Sequence, residues 1–342
     1  MARKPAGWVL VLSGLILCLL VLIFWYEDPD RSPLNVSSAL AAEPAGRQEP
    51  ITPIPLDLKL DARKVALGKR MFHDPQLSHG SKLSCAHCHN LAKGGMDGLP
   101  RSVGATGKEF NVNTPTVFNS GLNFRQFWDG RVATLEDHID FHSKNPCDMG
   151  STWDEVIVTL NSDASYRRDF EAIYLEAPNK TAVKDAVATF ERSLTTPNGK
   201  FDRYLRGDKQ ALSGNELAGY ELFKSLGCIS CHQGQNVGGN MYEKLGIIDD
   251  YFAHRGNVQE ADFGRYNFSG IEEQRYEFRV PSLRNVALTA PYFHDASAAT
   301  LEQAVAIMAK YQLGVDLSRD EIGRIVMFLN TLTGIYQGDA GR

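Results

Sequence analysis

Two short stretches of the chain contain residues that can bind haem covalently. Residues 85–89 read CAHCH and residues 228–232 read CISCH. In a CxxCH motif both thiols can add to a porphyrin, and the adjacent imidazole can bind the iron from one side. A single copy could also be a redox dithiol or half of a zinc site, but two copies favour haem. The predicted haem-binding residues are Cys85, Cys88, His89, Cys228, Cys231 and His232.

A similar run of residues precedes each motif. ALGKRMF ends at Phe72 and AGYELF ends at Phe223, and both runs are readable as a short helix that leads into the haem loop. We therefore predict two covalently bound haems c in two related domains.

The length and charge of the chain agree with this organisation. Its 342 residues exceed one typical domain. The net charge of -5 comes without a basic and aromatic pattern, which argues against nucleic acid as a partner. We predict cytochrome c-like domains at 57–205 and 206–342. A membrane anchor or signal segment at 1–26 and a flexible tether at 27–56, rich in Pro, Ala, Ser and Glu, precede them.

The N-terminus contains a long apolar segment. An uncharged run from Trp8 to Tyr26 follows Arg3 and Lys4, and it approaches the ~20 residues that cross a bilayer. A cleaved signal peptide is the alternative, with the ALA sequence at 39–41 as a processing site, but this site lies far beyond the apolar run. An inner-membrane anchor through residues 8–26 is therefore favoured. The positive charges before it place the rest of the chain in the periplasm, where haem c is attached.

Two cysteines lie outside the haem motifs. Cys18 belongs to the apolar segment and Cys147 stands alone, so no disulfide framework is predicted. A free Cys147 thiol beside Asp148 would be an oxidation liability near a peroxide site unless it is buried.

The rest of the chain is predicted to be mostly α, because apolar residues recur at helical spacing and no parallel-sheet pattern occurs. Residues 234–279 lack a sustained period and are predicted as a loop over the second haem. Helices are predicted from near Asp61, over Leu135–His142, Trp153–Leu160, Tyr166–Tyr174 and Thr181–Leu194, after Ser213, from Thr300 to about Tyr311, and after Ser318.

The sixth iron position decides what each haem can do, and Met308 is the best candidate at the second haem. Met241 follows His232 too closely to reach the opposite face, and Met327 is expected among core residues of the closing helix. A Met can also simply fill a gap in a core. A thioether ligand favours ferrous iron and raises the potential, which would make this haem an electron acceptor.

No methionine is placed so clearly near the first motif. If no side chain binds there, the first iron is open to a small oxidant. Reduction of a peroxide also needs a group that moves protons, and Asp148 with His138 nearby is our candidate, although Asp148 can equally be a turn former. The possible ligands are Met96, Met149, His73, His79, His138 and His142.

These residues, in this order, resemble the bacterial di-haem cytochrome c peroxidase family from about Leu67 to Gly334. Besides the two haem motifs, the specific marks are NTPT at 113–116, QFWDGR at 126–131, APYFHD at 290–295 and IMA at 307–309.

The resemblance implies that hydrogen peroxide is reduced at the N-terminal haem of a homodimer. Met308 would be the distal ligand of the high-potential C-terminal haem, and Trp128 would lie between the haems. Asn113, with the backbone of Thr289 and Pro291, would hold a calcium ion.

Three residues depart from the family pattern. Asp148 stands where the family has a catalytic glutamate, which shortens the reach by a methylene, and His138 replaces a glutamine. Ala105 stands where many members carry a loop histidine that caps the N-terminal iron. The first haem is therefore expected to be either open without reductive activation or capped by another histidine, such as His138 or His142.

The predicted function is reduction of hydrogen peroxide with electrons from a small c-type cytochrome, a cupredoxin or quinol. One alternative is a di-haem oxidase that acts on a partner protein. The related enzyme that matures methylamine dehydrogenase has tyrosine at the position of Met308, so the methionine favours the peroxidase. Another alternative is a membrane-tethered electron carrier, which would have two six-coordinate irons and no peroxide turnover.

Overall fold

The computed structural model describes residues 49–145, 148–336 and 338. Its main helices begin at side chains that cap free backbone N–H groups. Asp61 accepts a hydrogen bond from the backbone of Arg63 and begins the first long helix. Ser213, Thr300 and Ser318 each form a capping box with a glutamate or glutamine three residues later. The predicted starts of these helices are confirmed.

The chain is mostly helical, as predicted. The α-helices are α1 Ala62–Phe72, α2 Cys85–Cys88, α3 Leu135–Lys144, α4 Trp153–Ser162, α5 Ala164–Tyr174, α6 Lys180–Ser193, α7 Lys200–Leu205, α8 Gly214–Ser225, α9 Tyr251–Arg255, α10 Tyr266–Ser269, α11 Leu301–Leu313 and α12 Arg319–Thr331. Short 3-10 helices lie at Pro75–Leu77, His79–Ser81, Leu91–Lys93, Ser120–Leu122, Cys228–Ser230, Glu260–Phe263, Glu272–Gln274 and Val286–Leu288. The strands are β1 Tyr242–Lys244 and β2 Glu277–Arg279.

The helix before each haem motif crosses a later helix at a glycine. A Cβ atom on Gly68 of α1 would lie 2.0 Å from the carbonyl oxygen of Ala186 in α6. In the same way, a Cβ on Gly219 of α8 would lie 2.0 Å from the carbonyl oxygen of Arg324 in α12. Both crossings bring backbone against backbone, which only glycine permits.

An aromatic pair packs beside each crossing. The rings of Phe72 and Phe190 are 5.2 Å apart, and those of Phe223 and Phe328 are 5.1 Å apart. All four side chains are buried. The two halves of the chain therefore repeat one helix pair. In each pair one helix carries the glycine at the crossing, and both helices carry a phenylalanine one turn after the crossing point.

The segment before α1 packs against the second half of the chain. Ile51 and Ile54 are buried, and the backbone N–H of Ile54 donates to Asp202 Oδ1 at 3.2 Å. Arg284 donates to the carbonyl of Thr52 at 3.0 Å and forms a buried ion pair with Asp202 at 2.8 Å. Residues 49–56, placed in the flexible tether by composition, thus contribute two apolar side chains to the fold.

The region predicted as a loop over the second haem contains regular structure. β1 and β2 pair antiparallel with Tyr242 opposite Arg279, and the short helices α9 and α10 lie between them. Elements of three to five residues are too short to show a hydrophobic period, so the sequence pattern missed them.

The predicted anchor at 1–26 and the tether as far as residue 48 lie outside the described residues, as do Cys18 and Cys147. Within the part of the chain that the structure describes, no helix is long and apolar enough to span a bilayer.

Gly219→Ala should destabilise the protein by about 1–3 kcal/mol, because the added methyl group forces the backbones of α8 and α12 apart. Gly323→Ala in α12 is the matched control, since a Cβ there meets no atom within 4 Å. This variant should raise the free energy of unfolding by roughly 0.5–1 kcal/mol, because alanine favours a helix more than glycine does. Urea denaturation followed by circular dichroism measures both. Equal midpoints for the two variants would contradict the close crossing.

Candidate haem sites

The second CxxCH motif borders a large cavity. The 3-10 turn Cys228–Ser230 follows α8, and the backbone N–H of His232 donates to the carbonyl of Cys228 at 3.0 Å, which closes the motif into a compact loop. Cys228, Cys231, His232 and Met308 all line a cavity of about 520 Å³. Most of the other lining side chains are apolar, as a porphyrin face requires.

The imidazole of His232 is suited to metal binding. Burial lowers its pKa to about 4, against smaller opposing effects of the backbone at Val237 and Pro281, so the ring is neutral at pH 7. A Cβ on Gly238 would lie 2.3 Å from the Pro281 carbonyl oxygen and 3.3 Å from His232 Nδ1. The backbone therefore passes close to Nδ1 of the ring, and this buried nitrogen has no hydrogen-bond partner among the described residues. A neutral imidazole beside two cysteines and an apolar cavity fits a haem.

Met308 is the methionine that shares the cavity with His232. Of the three methionines after this motif, all of which the structure describes, Met308 alone belongs to the lining. Met327 is 44% exposed, so the expectation that it lies among core residues is wrong. The buried apolar residues of α12 are Ile325, Phe328 and Leu329, and Met327 lies on the side of the helix opposite to them.

The residues predicted to bind calcium lie in the wall of the same cavity, together with Trp128. Asn113, Thr289 and Pro291 all contribute to its lining. The indole N–H of Trp128 donates to the Asn113 carbonyl at 2.8 Å, and the Asn113 side chain donates to the Leu99 carbonyl at 2.8 Å. The structure thus brings the predicted groups together, and calcium binding stays a prediction.

A buried charged network beside this cavity is absent from the sequence predictions. His294 Nε2 lies 2.7 Å from Asp262 Oδ1, and Arg255 forms ion pairs with both Asp262 and Asp295. These two carboxylates and His294 could hold a metal ion by their spacing, but Arg255 already forms ion pairs with both carboxylates. The network therefore links the loop that carries His294 to Asp262 and Arg255.

The first CxxCH motif forms the short helix α2. The backbone N–H of His89 donates to the Cys85 carbonyl at 2.9 Å, as in the second motif. Burial is the main cause that lowers the pKa of His89 to about 4, and the charge of His142 adds to it. His89 Nδ1 lies 3.3 Å from the Gly95 carbonyl oxygen, which leaves Nε2 as the nitrogen for a metal. The residues of this loop also fit a haem.

Three titratable side chains form a chain of contacts near His89. Nδ1 of His142 is hydrogen-bonded to the carboxylate of Asp148. On the other side of the ring, Nε2 of His142 lies 3.0 Å from Nε2 of His138. The sequence predicted Asp148 with His138, and the structure places His142 between them.

The environments of the two imidazoles separate their pKa values. Burial would lower the pKa of His142, but the charge and hydrogen bond of Asp148 outweigh it and raise this pKa above its ordinary value. Burial lowers the pKa of His138 well below its ordinary value, and a positive His142 adds to this effect. A proton added to the pair therefore resides on His142, and His138 stays neutral.

Ala105 lies against the same cluster. Its backbone N–H donates to the Asp148 carbonyl at 3.0 Å, and its own carbonyl accepts from Lys82 Nζ at 3.4 Å. The backbone hydrogen bond thus holds the loop that carries Ala105 against Asp148, and the side chain at this position is a methyl group.

The other possible ligands lie in different surroundings. His73 and His79 are exposed, the first with Nδ1 near the Lys69 carbonyl and the second 3.5 Å from Glu155. Met149 packs in the core between α1, α4, α5 and α6, and Met96 is buried.

Phe127 and Glu191 lie at the first site, and the sequence pattern did not predict this. Phe127 has a left-handed φ of 66°, and its ring lies 4.5 Å from that of His138 and 5.3 Å from that of His142. Glu191 is 6% exposed, and its charge affects both Cys85 and His142. Its position one turn after Val187, on the apolar side of α6, is a signal that could have shown its burial.

Comparisons with known proteins identify the family of this chain. Residues 62–210 match the family model described as di-haem cytochrome c peroxidase. The chain is 45% identical to cytochrome c peroxidase Ccp of Escherichia coli over 294 residues, which cover 86% of this chain and 63% of that protein. It is 42% identical to cytochrome c551 peroxidase of Nitrosomonas europaea over 287 residues, which cover 84% of each chain.

A solved structure shows a similar fold. The crystal structure of a MauG-like protein associated with microbial copper homeostasis is 28% identical to this chain, with a TM-score of 0.72. The match covers 84% of this chain and 94% of that one. The family resemblance predicted from the motifs is confirmed.

Glu191→Gln should stabilise the protein at pH 8 and have little effect near pH 4.5. Burial raises the pKa of Glu191 to about 7 from its ordinary 4.5, so the unfolded chain loses this proton at lower pH than the folded one. The resulting penalty on folding develops between these two pH values and is on the order of 3 kcal/mol above them.

Urea denaturation at several pH values checks this, with the exposed Glu273→Gln as control. A stabilisation that does not grow between pH 5 and pH 8 would show that the burial of Glu191 carries no such penalty.

Proposed function

This chain belongs to the di-haem cytochrome c peroxidase family, and we propose that it reduces hydrogen peroxide to water with electrons that enter at the haem of the second motif. One observation carries the proposal. His232 shares an apolar cavity with the thioether of Met308, whereas His89 lies beside the proton-carrying side chains of Asp148, His142 and His138. The first arrangement suits electron storage and the second suits chemistry on a small polar substrate.

Haem bound at the two motifs would supply the electrons and the redox chemistry of the reaction. Cys228, Cys231 and His232 would hold one group, with Met308 as the second axial ligand. A thioether stabilises ferrous iron, and the apolar lining disfavours the additional charge of the ferric state. This half of the chain would therefore hold an electron until it is needed.

Cys85, Cys88 and His89 would hold the other group, where the substrate reacts. Reduction of one peroxide molecule takes two electrons and two protons and gives two water molecules. His142, whose pKa Asp148 raises, can accept a proton from peroxide through the neutral His138 ring 3.0 Å away and can return it to the leaving oxygen. The family's glutamate and glutamine are thus replaced by a carboxylate that acts through histidines.

Trp128 would lie on the electron path. Its ring lines the second cavity, while the preceding Phe127 packs on His138 and His142 of the first site. Phe127 and Trp128 are consecutive residues, and their side chains lie at different sites. This supports the role of Trp128 between the haems.

The wider predictions belong to the same proposal. The repeated glycine crossing supports two related haem domains at 57–205 and 206–342, and the Asn113, Thr289 and Pro291 group would hold calcium. The donor would be a small c-type cytochrome, a cupredoxin or quinol. The protein would work as a homodimer in the periplasm, attached to the inner membrane through residues 8–26.

Peroxide consumption by the oxidised and the half-reduced protein, with a reduced c-type cytochrome as donor, tests the function. Asp148→Asn should lower kcat by roughly 10²–10⁴, the usual worth of a positioned proton-transfer group, with a smaller change in KM. His254→Gln, on an exposed side chain of α9, should leave both constants unchanged.

The absence of turnover in both redox states of the wild type would refute the peroxidase and favour the carrier. Turnover that Asp148→Asn leaves intact would keep the peroxidase and remove Asp148 from its mechanism.

Met308→His should lower the reduction potential of the second haem by a substantial part of the ~0.8 V that axial ligands span. A nitrogen ligand stabilises ferric iron more than a thioether does, so mild reductants should no longer produce the half-reduced protein. Redox titration followed by absorption spectroscopy measures this. An unchanged potential would show that Met308 does not bind the iron.

A further inference from the structure

Two segments of the chain repeat the same backbone conformation without insertion or deletion. The first runs from Asn119 into α3 and the second from Asn285 into α11. Each begins with a left-handed asparagine at φ 60° and a 3-10 turn, and each contains a left-handed phenylalanine, a single β-bridge and a threonine N-cap. The matched positions are Asn119 with Asn285, Gln126 with Tyr292, Phe127 with Phe293, Val132 with Ala298, and Thr134 with Thr300.

The helices that follow these segments have equivalent neighbours. α3 packs on α6, and α11 packs on α12. α6 and α12 are themselves the helices that cross Gly68 and Gly219 in the repeated pair. An ion pair of 2.7 Å between Glu136 and Arg192 holds α3 in this place. The repeat therefore includes three helices in each half of the chain. They are α1, α6 and α3 in the first half and α8, α12 and α11 in the second.

Counting from the two threonine caps, His142 of α3 occupies the position of Met308 in α11. Met308 lines the second cavity beside His232. By the same geometry, His142 projects toward His89 from α3, and its charge does affect the pKa of His89. His138 corresponds to Ala304, which cannot bind a metal.

The contacts of His142 are those of an oriented metal ligand. A histidine that binds a metal commonly gives its other ring nitrogen to a carboxylate, which fixes the ring and its tautomer. Asp148 takes Nδ1 of His142 in this way, so Nε2 is the nitrogen that remains for iron. Nε2 also lies 3.0 Å from Nε2 of His138, which gives it an alternative partner.

We propose that His142 is the second axial ligand of the first haem in the resting protein, held from α3 at the position that Met308 holds from α11. The proposal rests on the haem assignment of the proposed function. The cap would come from a helix, in contrast to the family's loop histidine, whose place Ala105 takes. When a substrate takes its place on the iron, His142 stays hydrogen-bonded to Asp148 and in reach of His138. One residue would thus both close the site and serve its proton transfer.

Electron paramagnetic resonance of the oxidised holoprotein tests this without any turnover. The wild type should show two low-spin haems. His142→Ala should convert the first haem to high spin and leave the second unchanged, and added imidazole should restore the low-spin signal. His138→Ala should keep both haems low-spin, and Met308→Ala should convert only the second haem. Cyanide should bind the oxidised His142→Ala variant at least tenfold faster than the wild type.

His142→Met gives a second test if the alanine variant fails to retain haem. It should keep the first haem low-spin and shift its spectrum toward that of the second haem. A high-spin first haem in the wild type would overturn the proposal, as would a low-spin first haem in His142→Ala without imidazole. Conversion by His138→Ala alone would assign the cap to His138. Because these spectra need no peroxide, a protein with the expected spectra and no turnover would refute the peroxidase only.

Discussion

The direct contact of two helix backbones at Gly68, repeated at Gly219, is the constraint on which the rest of the structure depends. Each CxxCH loop follows the glycine-bearing helix, and His142 and Met308 are carried by helices that pack on the crossing partners. A side chain at either glycine would push the two helix backbones apart and move the histidine of the CxxCH motif relative to His142 or Met308. The close crossing therefore fixes the spacing between these side chains.

The two candidate haem sites share one architecture and differ mainly in the titratable groups near the histidine of each CxxCH motif. Most residues that line the cavity at His232 are apolar, and the charges of Arg255, Asp262 and Asp295 beside it are paired with one another. Around His89, Asp148 and the two imidazoles of α3 form a hydrogen-bonded chain, and the buried Glu191 contributes a further titratable group. The repeat provides the same framework twice, and a few side chains on α3 and the loop after it add a hydrogen-bonded chain of titratable groups near His89.

Local features of the sequence predicted most of the fold. Capping residues and helical spacing placed α1, α3 to α6, α8, α11 and α12 correctly, because these signals depend on neighbours within one or two turns. The packing of Ile51 and Ile54 on the second half, and the ion pair of Arg284 with Asp202, depend on residues far apart in the chain. No composition rule shows such contacts in advance.

The site was predictable to a similar extent. The haem motifs and Met308 stand out by residue type and order, and His138 and His142 were recognised as possible ligands. That His142 lies between Asp148 and His138 depends on how the loop after α3 turns back, which spacing alone does not give. The left-handed backbone at Phe127 is likewise a property of the fold. With this backbone, the ring of Phe127 contacts the imidazoles of His138 and His142, and the next side chain, Trp128, lines the cavity at His232. Two consecutive residues thus couple the two sites mechanically, so a movement of the Phe127 ring at one site would act through the shared backbone on Trp128 at the other.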